Sequence, residues 1–221
     1  MPVGTVTWRW FYDHIACHYY DLLLRWSLAP FGGEARVRRE LLEPVTLGHS
    51  DRILDLCCGT GTATLAIASK AGSGAEVVGL DLSVQQVRRA RAKNRHEDNR
   101  FVVGDATATP FPAASFDKVL ITHSLHEMLR SARIDALTEA RRLLRPDGEL
   151  AVLELDEPRN LLLRAFCGLW WFYWLPLNFE TPTRRDMFRH GLLNEVAHSG
   201  FRLARRVSIA HGALQTVVAR R

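Results

Sequence analysis

The stretch Arg52 to Ala68, RILDLCCGTGTATLAIA, constrains this chain more than any other. Ile53-Leu54-Asp55-Leu56 is an apolar run short enough for a buried parallel strand. Gly59-Thr60-Gly61 follows as a tight turn, and Thr62 to Ala68 reads as the start of a helix. Strand, glycine turn and helix N-terminus together make the nucleotide cradle of doubly wound α/β folds. Phosphate-binding versions of that cradle continue as G-x-G-x-x-G or end in Gly-Lys-Ser/Thr. This chain has neither, and its strand ends in an acid, Asp55. A carboxylate there repels a pyrophosphate and attracts an ammonium group. A nucleoside carrying an amino acid therefore fits better than a dinucleotide.

The segments downstream keep the same rhythm. Glu76 to Asp81 reads as a second strand ending in an acid, about 20 residues after the glycine turn, where Rossmann-like folds place the carboxylate that binds ribose hydroxyls. Leu82 would line the adenine slot, and Ser83 caps the next helix. Arg100 to Ala106 is a third strand and its end, carrying Asp105. Ser115 to Thr122 is a fourth strand, Arg130 to Leu144 a helix, Arg145 to Glu149 a turn, and Leu150 to Leu155 a fifth strand. Alternating β and α segments predict a parallel sheet with helices on both faces. Thr183 is expected to cap a last helix running to Gly200. Phe201 to Val207 and Ala213 to Ala219 then make a closing antiparallel hairpin about Gly212. Upstream, residues 8–31 read as one or two amphipathic helices ended by Pro30, and Glu34 to Leu47 as the helix before the first strand. The expected whole is one domain over residues 1–221, with an N-terminal helical cap over 1–48 and an aromatic insertion over 158–182.

Asp55-Leu-Cys-Cys-Gly-Thr-Gly61 resembles motif I of the class I S-adenosylmethionine (SAM) methyltransferases, [D/E]-x-G-x-G-x-G, with Cys57 at the first glycine of the pattern. Gly104-Asp105-Ala106 followed by Pro110-Phe111 resembles the family's adenine motif, Phe116-Asp117-x-Val119 its entry to strand four, and Arg145-Pro146-Asp147-Gly148 its L-x-P-G-G turn. Tyr12-Asp13-x-Ile15-Ala16 and Tyr20-Asp21 resemble the N-terminal signature of the ubiquinone/menaquinone-biosynthesis branch, with one extra residue between the pairs. The resemblance implies a Rossmann-like seven-stranded sheet binding SAM. In that arrangement Gly59, Thr60 and Gly61, with Cys57, cradle the methionine part, and Asp55 holds its ammonium. Asp81 takes the ribose, and Asp105 and Ala106 take the adenine. Tyr12 and Tyr20 contact the cofactor from a segment folded over it. Thr122 and His123 lie where the cofactor meets its acceptor, and His126, next to Glu127, is the candidate general base. The branch carries an Arg-Asn pair after strand four; here the positions read Ser124-Leu125-His126-Glu127. Quinone-like, phospholipid and other apolar acceptors all stay open.

Composition narrows the partners. A net charge of +5 comes almost wholly from arginine, since lysine occurs only at Lys70, Lys93 and Lys118. A basic protein can favour nucleic acid or an anionic membrane surface, yet no nucleic-acid-binding module is present. Cys17, Cys57, Cys58 and Cys167 have neither zinc nor disulfide-framework spacing, which reads as reduced thiols in a cytoplasm and no metal site. No signal peptide or transmembrane run is read. Asn160 to Phe179, NLLLRAFCGLWWFYWLPLNF, is too apolar for a free loop. Three readings fit it: a buried lid forming an apolar acceptor pocket, a peripheral membrane contact, or a homodimer contact. The function read from the chain is methyl transfer to a hydrophobic small molecule. A non-catalytic nucleoside-binding relative is the alternative. An NAD-dependent oxidoreductase is opposed by Asp55 and the missing third glycine.

Overall fold

A computed structural model of the chain describes residues 13–14, 17–95, 99–158, 160–172 and 181–221. Its centre is β1 (Arg52–Leu56), whose Ile53, Leu54 and Leu56 have no exposed surface. Each such side chain contributes about 1.5–3 kcal/mol by leaving water. β1 lies between β2 (Glu76–Asp81) and β4 (Phe116–Thr122), both parallel to it. β3 (Asn99–Val103) extends the sheet beyond β2, and β5 (Leu144–Leu155) beyond β4, again parallel. β7 (Leu214–Arg220) then pairs antiparallel with β5, and β6 (Arg202–Ile209) antiparallel with β7. The order β3-β2-β1-β4-β5-β7-β6 makes the expected seven-stranded mixed sheet. Strand order reverses at β1, so the crevice at the carboxyl ends of β1 and β4 is the natural ligand site.

Helices cover both faces. α1 (Cys17–Leu28) leads through a 3₁₀ turn, Ala29–Phe31, into α2 (Glu34–Leu42). α3 (Thr62–Ala71) follows β1, α4 (Val84–Lys93) follows β2, and α5 (Arg130–Leu143) follows β4. After β5 come α6 (Leu161–Phe172), α7 (Thr181–His190) and α8 (Leu192–His198). Among the described residues no helix is long and apolar enough to cross a membrane. Fully buried Arg133 on α5 binds Glu195 and Asp186 through Nη2 at 2.7 and 2.8 Å and the Met128 carbonyl through Nη1 at 2.8 Å. It thereby fastens α7 and α8 to the segment that follows β4.

Four local expectations are corrected. The helix before β1 stops at Leu42, with Glu43 still helical (φ −51°, ψ −44°) as its cap, because Pro44 has no amide hydrogen to continue the ladder, although Val45 is still buried. The third strand ends at Val103, three residues before Ala106. Arg145 to Gly148 is not a separate turn but an irregular lead within β5, where the register jumps from Leu144 opposite Phe116 to Glu149 opposite Lys118. The single last helix is two, broken at Gly191 with φ 81°, and Thr183 lies inside α7 rather than capping it. The aromatic insertion is described only to Phe172. There Leu161, Leu162, Phe166 and Leu169 are exposed on α6, so this part is not buried.

Candidate functional site

The glycine turn uses each small residue for a different reason. Gly59 (φ 53°) and Gly61 (φ 76°) both occupy left-handed backbone. A Cβ on Gly61 would lie 2.7 Å from Ala90 Cβ and 2.8 Å from Phe101 Cε1, so this position is closed by helix–strand packing. A Cβ on Gly59 would meet nothing within 4 Å, because that backbone faces open space. Cys57, where the motif has glycine, also adopts left-handed backbone at φ 67°. Burial pushes the Cys57 and Cys58 thiols well up, which holds both protonated and unreactive.

Three acids stand at strand ends. Asp55 has no exposed surface; its Oδ2 accepts from Thr64 Oγ1 at 2.5 Å, and its Oδ1 has no partner. Burial raises its carboxyl to about 7. Asp81 bridges the two loops beside it. Its Oδ2 accepts from the Gly59 amide at 2.8 Å and its Oδ1 from the Ser83 amide at 2.9 Å. Each oxygen keeps a second lone pair. Burial raises this carboxyl too, against those two amides. Ser83 caps α4 as expected, accepting from the Gln86 amide at 3.2 Å, and Leu82 before it is half-buried. Asp105 is exposed just past β3, its Oδ1 taking the amide and hydroxyl of Thr107 at 2.8 Å each, with Ala106 buried beside it.

The end of β4 is built around a residue the sequence reading passed over. Glu154, buried on β5, accepts through Oε2 from the amides of Ser124, Leu125 and His126 at 3.1, 2.9 and 3.3 Å. Its Oε1 lies 2.7 Å from His126 Nδ1. Burial alone would raise this carboxyl; the charge and hydrogen bond of His126 outweigh it and hold the group at about 2. The acid partner of His126 is therefore Glu154, not Glu127, whose Oε1 is 4.0 Å from His126 Nε2. The available signal was an acid inside the apolar strand Leu150–Leu155. His123 has left-handed backbone (φ 49°), and burial lowers its imidazole to about 4. Its Nε2 and the Thr122 hydroxyl are buried without a partner.

The N-terminal cap touches both cofactor-side loops through its aspartates. Asp21 Oδ1 accepts from Thr60 Oγ1 at 2.6 Å, and its Oδ2 pairs with Lys93 Nζ at 2.5 Å. Asp13 accepts from Ser83 Oγ and, at 3.3 Å, from the Gln85 amide. Both acids of the two Tyr-Asp pairs therefore reach these loops. Tyr12 lies outside the described residues, and Tyr20 falls on α1 with its side chain outside them. Between cap and sheet is a recess of about 280 Å³ including its mouth, lined by Leu24, Arg38, Thr60, Thr62, Thr122 and His123. Buried polar atoms without partners are rare in folded proteins, and three of them, Asp55 Oδ1, Thr122 Oγ1 and His123 Nε2, gather at the ends of β1 and β4. This arrangement suits a polar ligand with hydrogen-bonding and cationic groups. Among the described residues no cluster of three His, Cys, Asp or Glu side chains could hold a metal ion.

Comparison with known proteins points to one family. A family model described as a methyltransferase domain matches residues 53–148. An uncharacterized methyltransferase of Synechocystis sp. is 33% identical over 219 residues, 97% of this chain and 94% of that protein. A demethylmenaquinone methyltransferase of Thermus thermophilus is 39% identical over 141 residues, 63% of this chain; the match spans 62% of that relative's length. Among solved structures, a SAM-dependent methyltransferase from Aquifex aeolicus superposes with a TM-score of 0.64 at 18% identity, over 82% of this chain and 88% of that one. A Haemonchus contortus phosphoethanolamine N-methyltransferase 2 with bound SAM superposes with a TM-score of 0.70 at 16% identity, over 100% of this chain and 61% of that one. At these identities the structures share the fold.

Proposed function

Because the chain belongs to the SAM-dependent methyltransferases, we propose that it methylates a hydrophobic small molecule, quinone-like or lipid, at the carboxyl ends of β1 and β4. The observations that carry this reading are the unpartnered, fully buried Asp55 Oδ1 near the end of β1 and the open face of Gly59 in the turn that follows it. SAM fits these residues: Asp55 holds the ammonium, Gly59 and Thr60 approach the methionine part, and Gly61 lets the turn close against α4 and β3. Asp81 offers one lone pair of each oxygen to the ribose hydroxyls. Leu82, Asp105 and Ala106 surround the adenine. Bound SAM supplies an electrophilic methyl group, so the protein's own work is alignment and exclusion of water.

On the acceptor side, Glu154 lies 2.7 Å from His126 Nδ1 and orients the imidazole at the end of β4, where His126 is the candidate general base for an acceptor hydroxyl or ammonium. Two facts support an apolar acceptor. The segment following β5 exposes Leu161, Leu162, Phe166 and Leu169, and relatives matching over part of their length are named demethylmenaquinone methyltransferases. The same exposure favours a membrane surface over a buried lid for this helix, which sedimentation with lipid vesicles would check. The primary test is methyl transfer from labelled SAM into a hydrophobic extract of the source cells, with Asp81→Ala as control. One labelled component, absent with the variant, supports the reading. Cofactor binding with no labelled product points to a binding-only role.

A further inference from the structure

We propose that the carboxyl edge of the sheet docks on an anionic lipid bilayer, with α6 lying in the interface and arginines of α1 and α7 against the headgroups. This deepens the reading of an apolar acceptor given above and rests on it: the acceptor enters the site from the bilayer and not from water.

Three helices lie along this edge. α1 is held there by Asp21, which accepts from the Thr60 hydroxyl in the turn just past β1. α6 begins at Leu161, shortly after β5 ends at Leu155. α7 packs on the turn Leu125–Glu127 that follows β4. On α6 the exposed Leu161, Leu162, Phe166 and Leu169 fall within one arc of roughly 140° of the helix. Leu162 is 82% exposed. Arg164 lies outside that arc and pairs with Glu157 at 2.5 Å, and the helix carries no acid. On α1, Tyr19, Leu22 and Trp26 make a second exposed stripe at helical spacing, with the exposed Arg25 beside it.

The charge at this edge has one sign. α7 exposes Arg185 and Arg189, one turn apart, while its acid, Asp186, is taken by buried Arg133 at 2.8 Å. The acid of α1, Asp21, is likewise taken by Lys93 and Thr60. An apolar stripe with arginines at its flanks suits a helix lying flat in an anionic interface. With 12 residues, α6 is too short to span a bilayer. The rival occupant is a second copy of the chain. A two-fold contact centred on these faces would set arginines against the same arginines of the partner, whereas anionic headgroups neutralise them.

The test is sedimentation of the full chain with vesicles of pure phosphatidylcholine and of an equimolar mixture of phosphatidylcholine and phosphatidylglycerol. Partition is expected to be about 100-fold stronger on the mixed vesicles, about fivefold for each of the three arginines, and to weaken at high salt. Arg185→Gln together with Arg189→Gln should lose about 25-fold on the mixed vesicles and little on phosphatidylcholine. Leu162→Glu should weaken partition on both. Calorimetric binding of S-adenosylhomocysteine, the demethylated cofactor, should stay within about twofold of wild type in every variant, which shows that each is folded. A wild type that binds S-adenosylhomocysteine but neither vesicle, or both vesicles equally, overturns the docking and leaves the methyltransferase reading intact. Self-association abolished by Leu162→Glu, without vesicle binding, overturns it too and assigns the face to a second copy. A wild type that does not bind S-adenosylhomocysteine overturns the functional reading instead, and with it the delivery of an acceptor from the bilayer.

Discussion

His126 Nδ1 lies 2.7 Å from Glu154 Oε1, joining the turn after β4 to the end of β5 across the sheet. The same carboxylate takes three backbone amides of that turn, so it both orients the imidazole and holds its backbone. Glu154→Gln should therefore destabilise the protein by about 3 kcal/mol at pH 7 in urea unfolding, by leaving buried donors unmatched. The pH dependence separates this pair from its neighbours. Glu154 is held at about 2 in the fold against an ordinary 4.5, so its contribution is present above 4.5 and is lost as pH falls toward 2. His123, held neutral at about 4 against 6.5, accounts for an earlier loss between 6.5 and 4. The variant should keep the His123 loss and show a flatter curve below pH 4.5.

Asp55 should link cofactor binding to pH in the opposite sense. With its folded carboxyl raised to about 7, the unliganded site is largely protonated at pH 6. An ammonium partner needs the ionised form, so affinity for S-adenosylhomocysteine should rise with pH up to about 7 and then level off. The expected gain is roughly 25-fold from pH 5.5 to 7.5 in calorimetry. A raised carboxyl also costs stability once ionised: the contribution is present below 3.8 and lost as pH rises through about 7. Asp55→Asn should accordingly stabilise the ligand-free protein at pH 8, by at most about 4 kcal/mol, with the gain vanishing near pH 4, while weakening the cofactor. A variant that leaves the ligand-free melting temperature unchanged between pH 4 and 8 relative to wild type contradicts the shift.

Cys57 and Gly61 predict opposite outcomes for small changes in one turn. Cys57→Gly relieves a side chain from left-handed backbone, an expected gain of about 0.5–1 kcal/mol in thermal unfolding with cofactor binding kept. Gly61→Ala adds a methyl group 2.7–2.8 Å from Ala90 and Phe101 at φ 76°, and should cost about 2–4 kcal/mol.

Asp21→Asn should act on rates more than on stability. The Asp21–Lys93 pair is about one-third exposed, so its loss should change unfolding free energy by less than about 1 kcal/mol. The pair and the Thr60 hydroxyl nevertheless tie α1 to the glycine turn. Freed from them, the cap should release S-adenosylhomocysteine several-fold faster in stopped-flow measurements, and the wild type should approach that rate at high salt. An unchanged release rate would assign Asp21 a packing role only.

Local sequence determined much of this protein. The apolar run Ile53 to Leu56 can only be a buried strand, and Gly61 with its neighbours can only turn it into a helix. Asp55, Asp81 and Asp105 were legible because strand ends recur at a regular spacing along the chain. What tertiary structure alone decided are the partnerships between distant segments. Glu154 is 28 residues from His126, and Asp21 is 39 residues from Thr60. Glu127, the nearer acid in sequence, loses to Glu154 because parallel pairing of β4 with β5 brings the two strand ends together. Arg38 looked solvated because helical periodicity reports one helix's faces and not what packs against them. Only the packing of α1 and α2 on the sheet brings that arginine to the recess beside Thr60 and His123. The reason is the same throughout: backbone propensities and apolar periodicity are local, whereas burial, and with it the strength and titration of every charge in this site, belongs to the assembled fold.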